Sequence, residues 1–410
     1  MEMKIPEVHK KTEVGVIPDD WDVQKLKDCL IKNPDYGINA PAVPYSDNLP
    51  TYIRITDISE DGNFLHDNKS SVIHHNSHNY FLEVDDIVLA RTGASTGKSY
   101  LYNIKDGKLV FAGFLIRVKP DPQKLCSRYL KGYLETQAYW NWVKIMSMRS
   151  GQPGINGNEY GQLKIPLPPL PEQKAIAQSL SDVDTLITAW DQVITKKRNI
   201  KQSTMQQILT GKKRLPGFSD EWEVKKLGGL VEFSNGKAHE NSITENGKFI
   251  VINSKFISTE GQVKKYSNFC YCPVSIGEIV MVMSDVPNGK ALAKCFYINE
   301  NDKYTLNQRI CSLTPLNVNS DFLFYLLDRN SYYLTFDDGV KQTNLRKDDV
   351  LSCPLKLPVT LEEQQAIAQV LSDMDAEIEA LEKKRDKYKA IKQGMMQELL
   401  TGKTRLISSS

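Results

Sequence analysis

The sequence predicts an α+β chain in which two mixed α/β domains alternate with two long helices packed as an antiparallel coiled coil, an internal repeat about a pseudo-two-fold. Three observations predict it. A long segment recurs at a constant offset, an apolar stripe runs through each copy at heptad spacing, and the intervening segments are rich in strand signals. The recurrence is plainest between EQKAIAQSLSDVD (172–184) and EQQAIAQVLSDMD (363–375). It continues without a gap to LTGK at 209–212 and 400–403, with offsets of 363 − 172 = 191 and 403 − 212 = 191. About half of the positions are identical, which marks a duplication.

In chain order, the first mixed domain carries β-rich runs at YIRITDI (52–58), DIVLA (86–90) and KLVFAGFLIRV (108–118), flanked by turn residues. Asp106-Gly107 signals a hairpin, and SRYLKGYLETQAYWNWV (127–143) reads as one helix. Pro166, Pro168, Pro169 and Pro171 fence this domain off from the first long helix. There Ile176, Leu180, Val183, Ile187, Trp190 and Ile194 follow alternating steps of four and three. The second mixed domain repeats the strand signals in KFIVIN (248–253) and GEIVMVM (277–283), with one helix expected over DFLFYLLDRNSYY (321–333). In the second long helix the stripe is Ile367, Leu371, Met374, Ile378, Leu381, Tyr388, Met395 and Leu399, interrupted by Arg385 and Lys392. Thr360 and Glu363 suit a capping box, and Gly211 and Gly402 fall where C-terminal caps sit.

Each helix spans roughly 40 residues, about 60 Å at 1.5 Å per residue. Such a helix cannot bury its stripe alone, and its twin is the obvious partner. The second mixed domain starts where the first helix ends and finishes where the second begins. An antiparallel pair lets it start and finish at one end of the rod and leaves the first domain at the other, so the heads are expected about 60 Å apart. Weaker echoes support two related heads. Asp19-Asp20-Trp21 answers Asp220-Glu221-Trp222, and DDIVLARTGASTGK (85–98) answers GEIVMVMSDVPNGK (277–290) at an offset of 192.

Composition narrows the function. The chain is 40% apolar and 25% charged with a net charge of +2, so a nucleic-acid binder of this balance must concentrate its basic groups locally. No apolar run approaches the roughly 18 residues of a membrane span, and MEMKIPEVHK lacks a signal-peptide core, so a cytoplasmic protein is expected. The seven cysteines include no CxxC pair, and His74, His75 and His78 lie in a polar stretch, so neither a metal site nor a cofactor is expected. LARTGASTGKS (89–99) resembles a phosphate-binding loop, but only three residues separate Gly93 from Gly97 and a strand pattern follows, where GxxxxGK[ST] requires four and a helix. Asn33-Pro34-Asp35-Tyr36 is similar to the Asn-Pro-Pro-Tyr tetrad of adenine-N6 methyltransferases, but Asp35 replaces a proline and no glycine-rich cofactor loop precedes it. No catalysis is expected.

The proline-rich lead followed by Glu-Gln, Ile-Ala and a long helix stands twice, as IPLPPLPEQKAIAQSLSDVD and LPVTLEEQQAIAQVLSDMD. With DYGINAPAV, YIRITDIS and DDIVLARTGASTGK, it resembles the specificity subunit of type I restriction–modification systems over nearly the whole chain. The resemblance implies target-recognition domains at 1–165 and 213–356, conserved helical regions at 166–212 and 357–405, and a tail at 406–410. It implies that each recognition domain reads one half of a bipartite double-stranded DNA site while the coiled coil sets the spacer. Two methyltransferase subunits would dock along the rod and heads, and methylation and translocation would belong to them and to restriction subunits. The competing reading is a coiled-coil adaptor that binds no DNA and whose two heads bind protein partners.

Candidate DNA contacts follow from what two different readers share and where they differ. Gly97-Lys98 and Gly289-Lys290 recur and suit phosphate. Arg91, Thr92, Ser95 and Thr96 differ from Met283, Ser284, Pro287 and Asn288, and so suit base edges, with arginine matched to guanine and amides to adenine. A second polar patch closes each head: Arg149, Gln152 and Asn156 in the first, Lys341, Gln342 and Asn344 in the second.

Overall fold

The computed structural model describes residues 2–4, 9–148 and 153–407. Its helices are α1 (Ser127–Tyr133), α2 (Gln137–Ser147), α3 (Gly157–Gly161), α4 (Leu170–Ile208), α5 (Ser254–Ser258), α6 (Ser320–Leu327), α7 (Ser331–Leu334), α8 (Lys347–Leu351) and α9 (Leu361–Leu399). The chain forms two compact units, one of Met1–Asp191 with Lys383–Ser410, the other of Gln192–Glu382. Each unit thus contains part of α4 and part of α9.

The first unit holds two four-stranded sheets. One runs Ser99–Leu101, Ile87–Ala90, Leu115–Val118, Asp35–Tyr36, with every pairing antiparallel. The other runs Leu109–Phe111, Thr51–Ile53, Ser70–Val72, Ala42–Pro44, and its first pair is parallel. Asp22–Lys25 pairs with Lys164–Leu167, and the backbone of Glu2–Lys4 pairs with that of Arg405–Ile407. The second unit repeats the plan. Its antiparallel sheet runs Val231–Asn235, Ile310–Pro315, Ile279–Val282, Cys295–Tyr297. Its other sheet again contains one parallel pair, Phe249–Ile252 with Tyr304–Leu306.

Three local expectations are corrected. The strands on either side of Asp106-Gly107 do not form a hairpin: Ser99–Leu101 joins one sheet and Leu109–Phe111 the other. The turn is real, with Gly107 at φ +80°, but Leu109–Phe111 is drawn away by parallel pairing with Thr51–Ile53. The helix expected at 127–143 is two, because the Thr136 hydroxyl accepts a hydrogen bond from Tyr139 N and starts α2 afresh. The helix at 321–333 is also two: Asn330 accepts from Tyr332 N to start α7, after Arg329 turns left-handed at φ +54°.

The long helices follow their stripe. Ile176, Leu180, Ile194, Ile367, Leu371, Ile378 and Leu399 are buried. The two charged residues on the seam are paired across it: Lys392 with Asp184 at 2.8 Å and Arg385 with Asp191 at 3.3 Å, both within the first unit. As the residue number rises in one helix it falls in the other, so the segments are antiparallel. In the second unit Lys201 pairs with Asp375, and Lys197 with Glu377 at 2.6 Å, in the same sense.

The repeated Glu-Gln is a buried fastening between each head and its helix. In the first unit Glu172 receives Arg405 through two bonds of 2.6 and 2.7 Å and the Trp21 indole N–H at 3.1 Å. In the second, Glu363 receives Arg214 at 2.6 and 2.7 Å and the Trp222 N–H at 3.3 Å. Gln173 accepts from Cys126 N and Gln364 from Asn319 N, both at 2.9 Å. Since the Glu363 carboxylate is taken up this way, only half of the expected capping box forms, from Glu363 N to the Thr360 hydroxyl.

Candidate nucleic-acid interface

In the first unit the chain leaves Ile87–Ala90, makes one tight turn at Gly93–Ser95 and returns as Ser99–Leu101. Gly97 is needed there twice over: its φ is +93°, and a Cβ would sit 2.8 Å from Val143 Cγ1. Buried tyrosines brace the loop from below, with the Tyr139 hydroxyl donating to Gly97 O and that of Tyr160 to Ala90 O, each at 2.7 Å. Burial pushes both phenols above their ordinary titration range, so they stay protonated donors.

The closing patch lies against this loop. Gly93 N donates to Pro153 O at 3.0 Å, Ile155 N donates to Arg91 O at 2.9 Å, and Thr92 bridges Gly154. Two stretches that sequence analysis treated separately therefore share one surface. Of the candidates on it, Thr96 is buried and its hydroxyl closes the turn onto Gly93 O at 2.7 Å. Asn156 caps α3, accepting from Glu159 N at 3.0 Å. Lys98 pairs with Glu60 at 2.6 Å. Thr92 and Ser95 are half-buried. Arg91 lies with its guanidinium carbon 4.8 Å from the Tyr36 ring centroid. Arg149 and Gln152 lie outside the described residues.

The second unit builds the same junction with other side chains. Ser284–Asp285 pairs with Thr343–Asn344. The buried Ser284 hydroxyl donates to Asn344 Oδ1 at 2.6 Å and accepts from Gln342 Nε2 at 2.8 Å, while Gln342 and Asn344 are exposed. Asn288 is left-handed at φ +54°, with its N–H on Asp337 Oδ2 at 3.0 Å and its amide on Gly339 O at 3.3 Å. Lys290 and Lys341 are exposed. Backbone N–H groups of Lys341 and Val340 hold the Asp338 carboxyl below its usual range.

The structure re-registers the repeat at this loop. Ile87–Ala90 and Ile279–Val282 differ by 279 − 87 = 192, but the return strands Ser99–Leu101 and Cys295–Tyr297 differ by 295 − 99 = 196. Four extra residues in the second loop therefore make Ala293-Lys294, not Gly289-Lys290, the counterpart of Gly97-Lys98. The backbone bonds agree: Ala90 N donates to Lys98 O and Val282 N to Lys294 O. Ala293 takes the left-handed conformation that Gly97 takes, at φ +56°. Lys294 even has the same kind of partner, Glu260 at 3.1 Å. The recurring Gly-Lys dipeptide is thus not one shared position. By the same register Arg91 and Met283 are equivalent, since Ile155 N donates to Arg91 O and Leu345 N to Met283 O. Sequence reasoning missed Lys294 and Tyr36. The first was recoverable by counting from the return strand, and the second was read only within a broken tetrad and within the family-like stretch DYGINAPAV, with no role of its own.

Among the described residues, no group of three or more His, Cys, Asp or Glu side chains is placed to hold a metal ion, and no helix is long and apolar enough to cross a membrane. The model of the type I restriction modification DNA specificity domain matches twice, over residues 18–199 and 219–390. The chain is 28% identical to a putative type I restriction enzyme MjaX specificity subunit of Methanocaldococcus jannaschii, covering 97% of this chain and 96% of the relative. It is 26% identical to the MjaVIII specificity subunit of the same organism, over 95% and 94%. A crystal structure of the S subunit of a type I restriction–modification system from M. genitalium superposes with a TM-score of 0.58 at 15% identity, over 97% of this chain and 99% of that one, a likeness of fold. With the matched domain present twice and covering most of its length, the chain belongs to the specificity subunits of type I restriction–modification systems.

Proposed function

We propose that the chain reads a bipartite site in double-stranded DNA, one half with each head, and that the paired long helices set the gap between the halves. Its family works on DNA with methyltransferase and restriction subunits, as the non-catalytic component of the complex. In this reading residues 1–165 and 213–356 are the recognition domains, and residues 166–212 and 357–405 the spacer. Two methyltransferase subunits and the restriction subunits are its partners, and it works in the cytoplasm.

The observation that carries the reading is the junction found in each unit: two loops meet on one backbone frame and present different polar side chains. A common frame with exchanged side chains is what two readers of different half-sites need, because positioning can be shared while base contacts cannot. Lys290 and Lys341 are exposed beside the second junction, in a chain of nearly balanced charge. Footprinting of the chain assembled with its methyltransferase subunit tests this. The expected result is two protected patches about one helical turn apart. A chain whose heads instead bind protein protects no DNA.

A further inference from the structure

Resting on the DNA-reading role proposed above, three features converge on Arg91. Its backbone is held from both sides, with its N–H on Phe114 O at 3.0 Å and its carbonyl accepting from Ile155 N at 2.9 Å. Its guanidinium lies over the Tyr36 ring at 4.8 Å. Its Nε is buried and finds no hydrogen-bond partner among the described residues. Three of the neighbouring candidates are already engaged: Lys98 by Glu60, Thr96 by Gly93 O, Asn156 by the start of α3.

Tyr36 is itself firmly placed. It pairs with Ile116 at the edge of the antiparallel sheet. The preceding Asp35 takes two bonds from Arg117, at 3.1 and 2.6 Å. Burial alone would raise the Asp35 carboxyl, but Arg117 and Lys32 outweigh it and hold the group below its ordinary range, so the anchor stays ionised. The Tyr36 hydroxyl accepts from Gly157 N at 3.0 Å, yet the residue remains 43% exposed. The Asn33-Pro34-Asp35-Tyr36 stretch thus builds a rigid aromatic shelf beside the loop.

A guanidinium is planar, and one held over such a shelf keeps a fixed orientation, which suits two parallel bonds from its outer nitrogens to O6 and N7 of a guanine. We propose that Arg91, positioned by Tyr36, reads a guanine in the half-site of the first head. The second head carries Met283 in the same frame, with its N–H on Arg309 O at 2.9 Å and its carbonyl accepting from Leu345 N at 2.7 Å. Methionine offers no donor, so the two heads differ at this base.

The test is selection from a duplex library with two randomised segments, using the full-length chain assembled with its methyltransferase subunit. The unaltered complex is expected to enrich a bipartite site with a fixed guanine in one half. Arg91→Lys should lower the guanine preference at that one position by roughly five- to a hundredfold while keeping its charge, leaving the other positions and the other half unchanged. Arg91→Met should do the same with weaker binding. Tyr36→Ala should lower the same preference, and Tyr36→Phe should retain it, since the ring holds the arginine. An unchanged guanine preference in Arg91→Lys, a loss spread evenly over all positions, or an enriched site without guanine overturns the assignment and leaves the DNA-reading role standing. If the unaltered complex enriches no site, the DNA-reading role falls and this assignment with it.

Discussion

Glu172 shows what a single buried residue does here. The residue is 5% exposed, and its carboxylate receives two bonds from Arg405 and one from Trp21. Removing the arginine leaves a buried charge with only an indole N–H for company. Arg405→Ala should therefore destabilise the first unit by about 3–5 kcal/mol. Urea unfolding followed by circular dichroism checks this, and adding Glu172→Gln should recover part of the loss, because the neutral amide needs no counter-charge and can still accept from Trp21. A single variant already as stable as the parent would show that the pair contributes nothing. Glu172 with Glu363 and Trp21 with Trp222 were visible as echoes in the sequence, but Arg405 was not singled out and the contact was not foreseen. Trp21, Glu172 and Arg405 are far apart in the chain, and no local pattern announces that they meet.

At the scale of elements, the loop after Ile87–Ala90 depends on Gly97 for space as well as for its torsion. Gly107 is a useful control, left-handed at φ +80° with nothing within 4 Å of an added Cβ. Gly107→Ala should cost about 1–3 kcal/mol from backbone strain alone, since φ +80° with ψ −169° is a conformation almost confined to glycine. Gly97→Ala should cost more, because Val143 and Trp140 must also move; differential scanning calorimetry of the two variants ranks them, and equal shifts would refute the packing argument. The long helices were legible because a heptad stripe is a local, repeated signal that survives interruption by Arg385 and Lys392. The breaks within the shorter helical stretches were not, because Thr136 and Asn330 had to be recognised as caps inside segments that remain apolar enough to read as continuous. The false hairpin has a different cause: turn chemistry is local, whereas the pairing of Leu109–Phe111 with Thr51–Ile53 is not.

For the whole molecule, independent heads predict that exchanging residues 1–160 for another head alters one half of the DNA site and leaves the other intact. Methylation profiling of cells carrying the exchange with its methyltransferase measures both halves at once, and a change in both would end the independent-heads model. The candidate surface was half legible. The stretches that the structure brings together had been singled out in the sequence, because glycine-rich polar segments stand out. Their union was hidden, since Arg91 meets Ile155, and Met283 meets Leu345, only through backbone bonds. The matching Gly-Lys dipeptides also drew the alignment off by the four residues that lengthen the second loop. The make-up of the two units carries a consequence for synthesis. Gln192–Glu382 is one uninterrupted stretch, whereas the other unit is built from the segments on either side of it and keeps its Glu172 waiting for Arg405. On the ribosome, the first-made share of that unit therefore stays open until residue 405 has emerged, after the whole of Gln192–Glu382, so a chain stopped short of Arg405 keeps one unit complete and leaves the other unclosed.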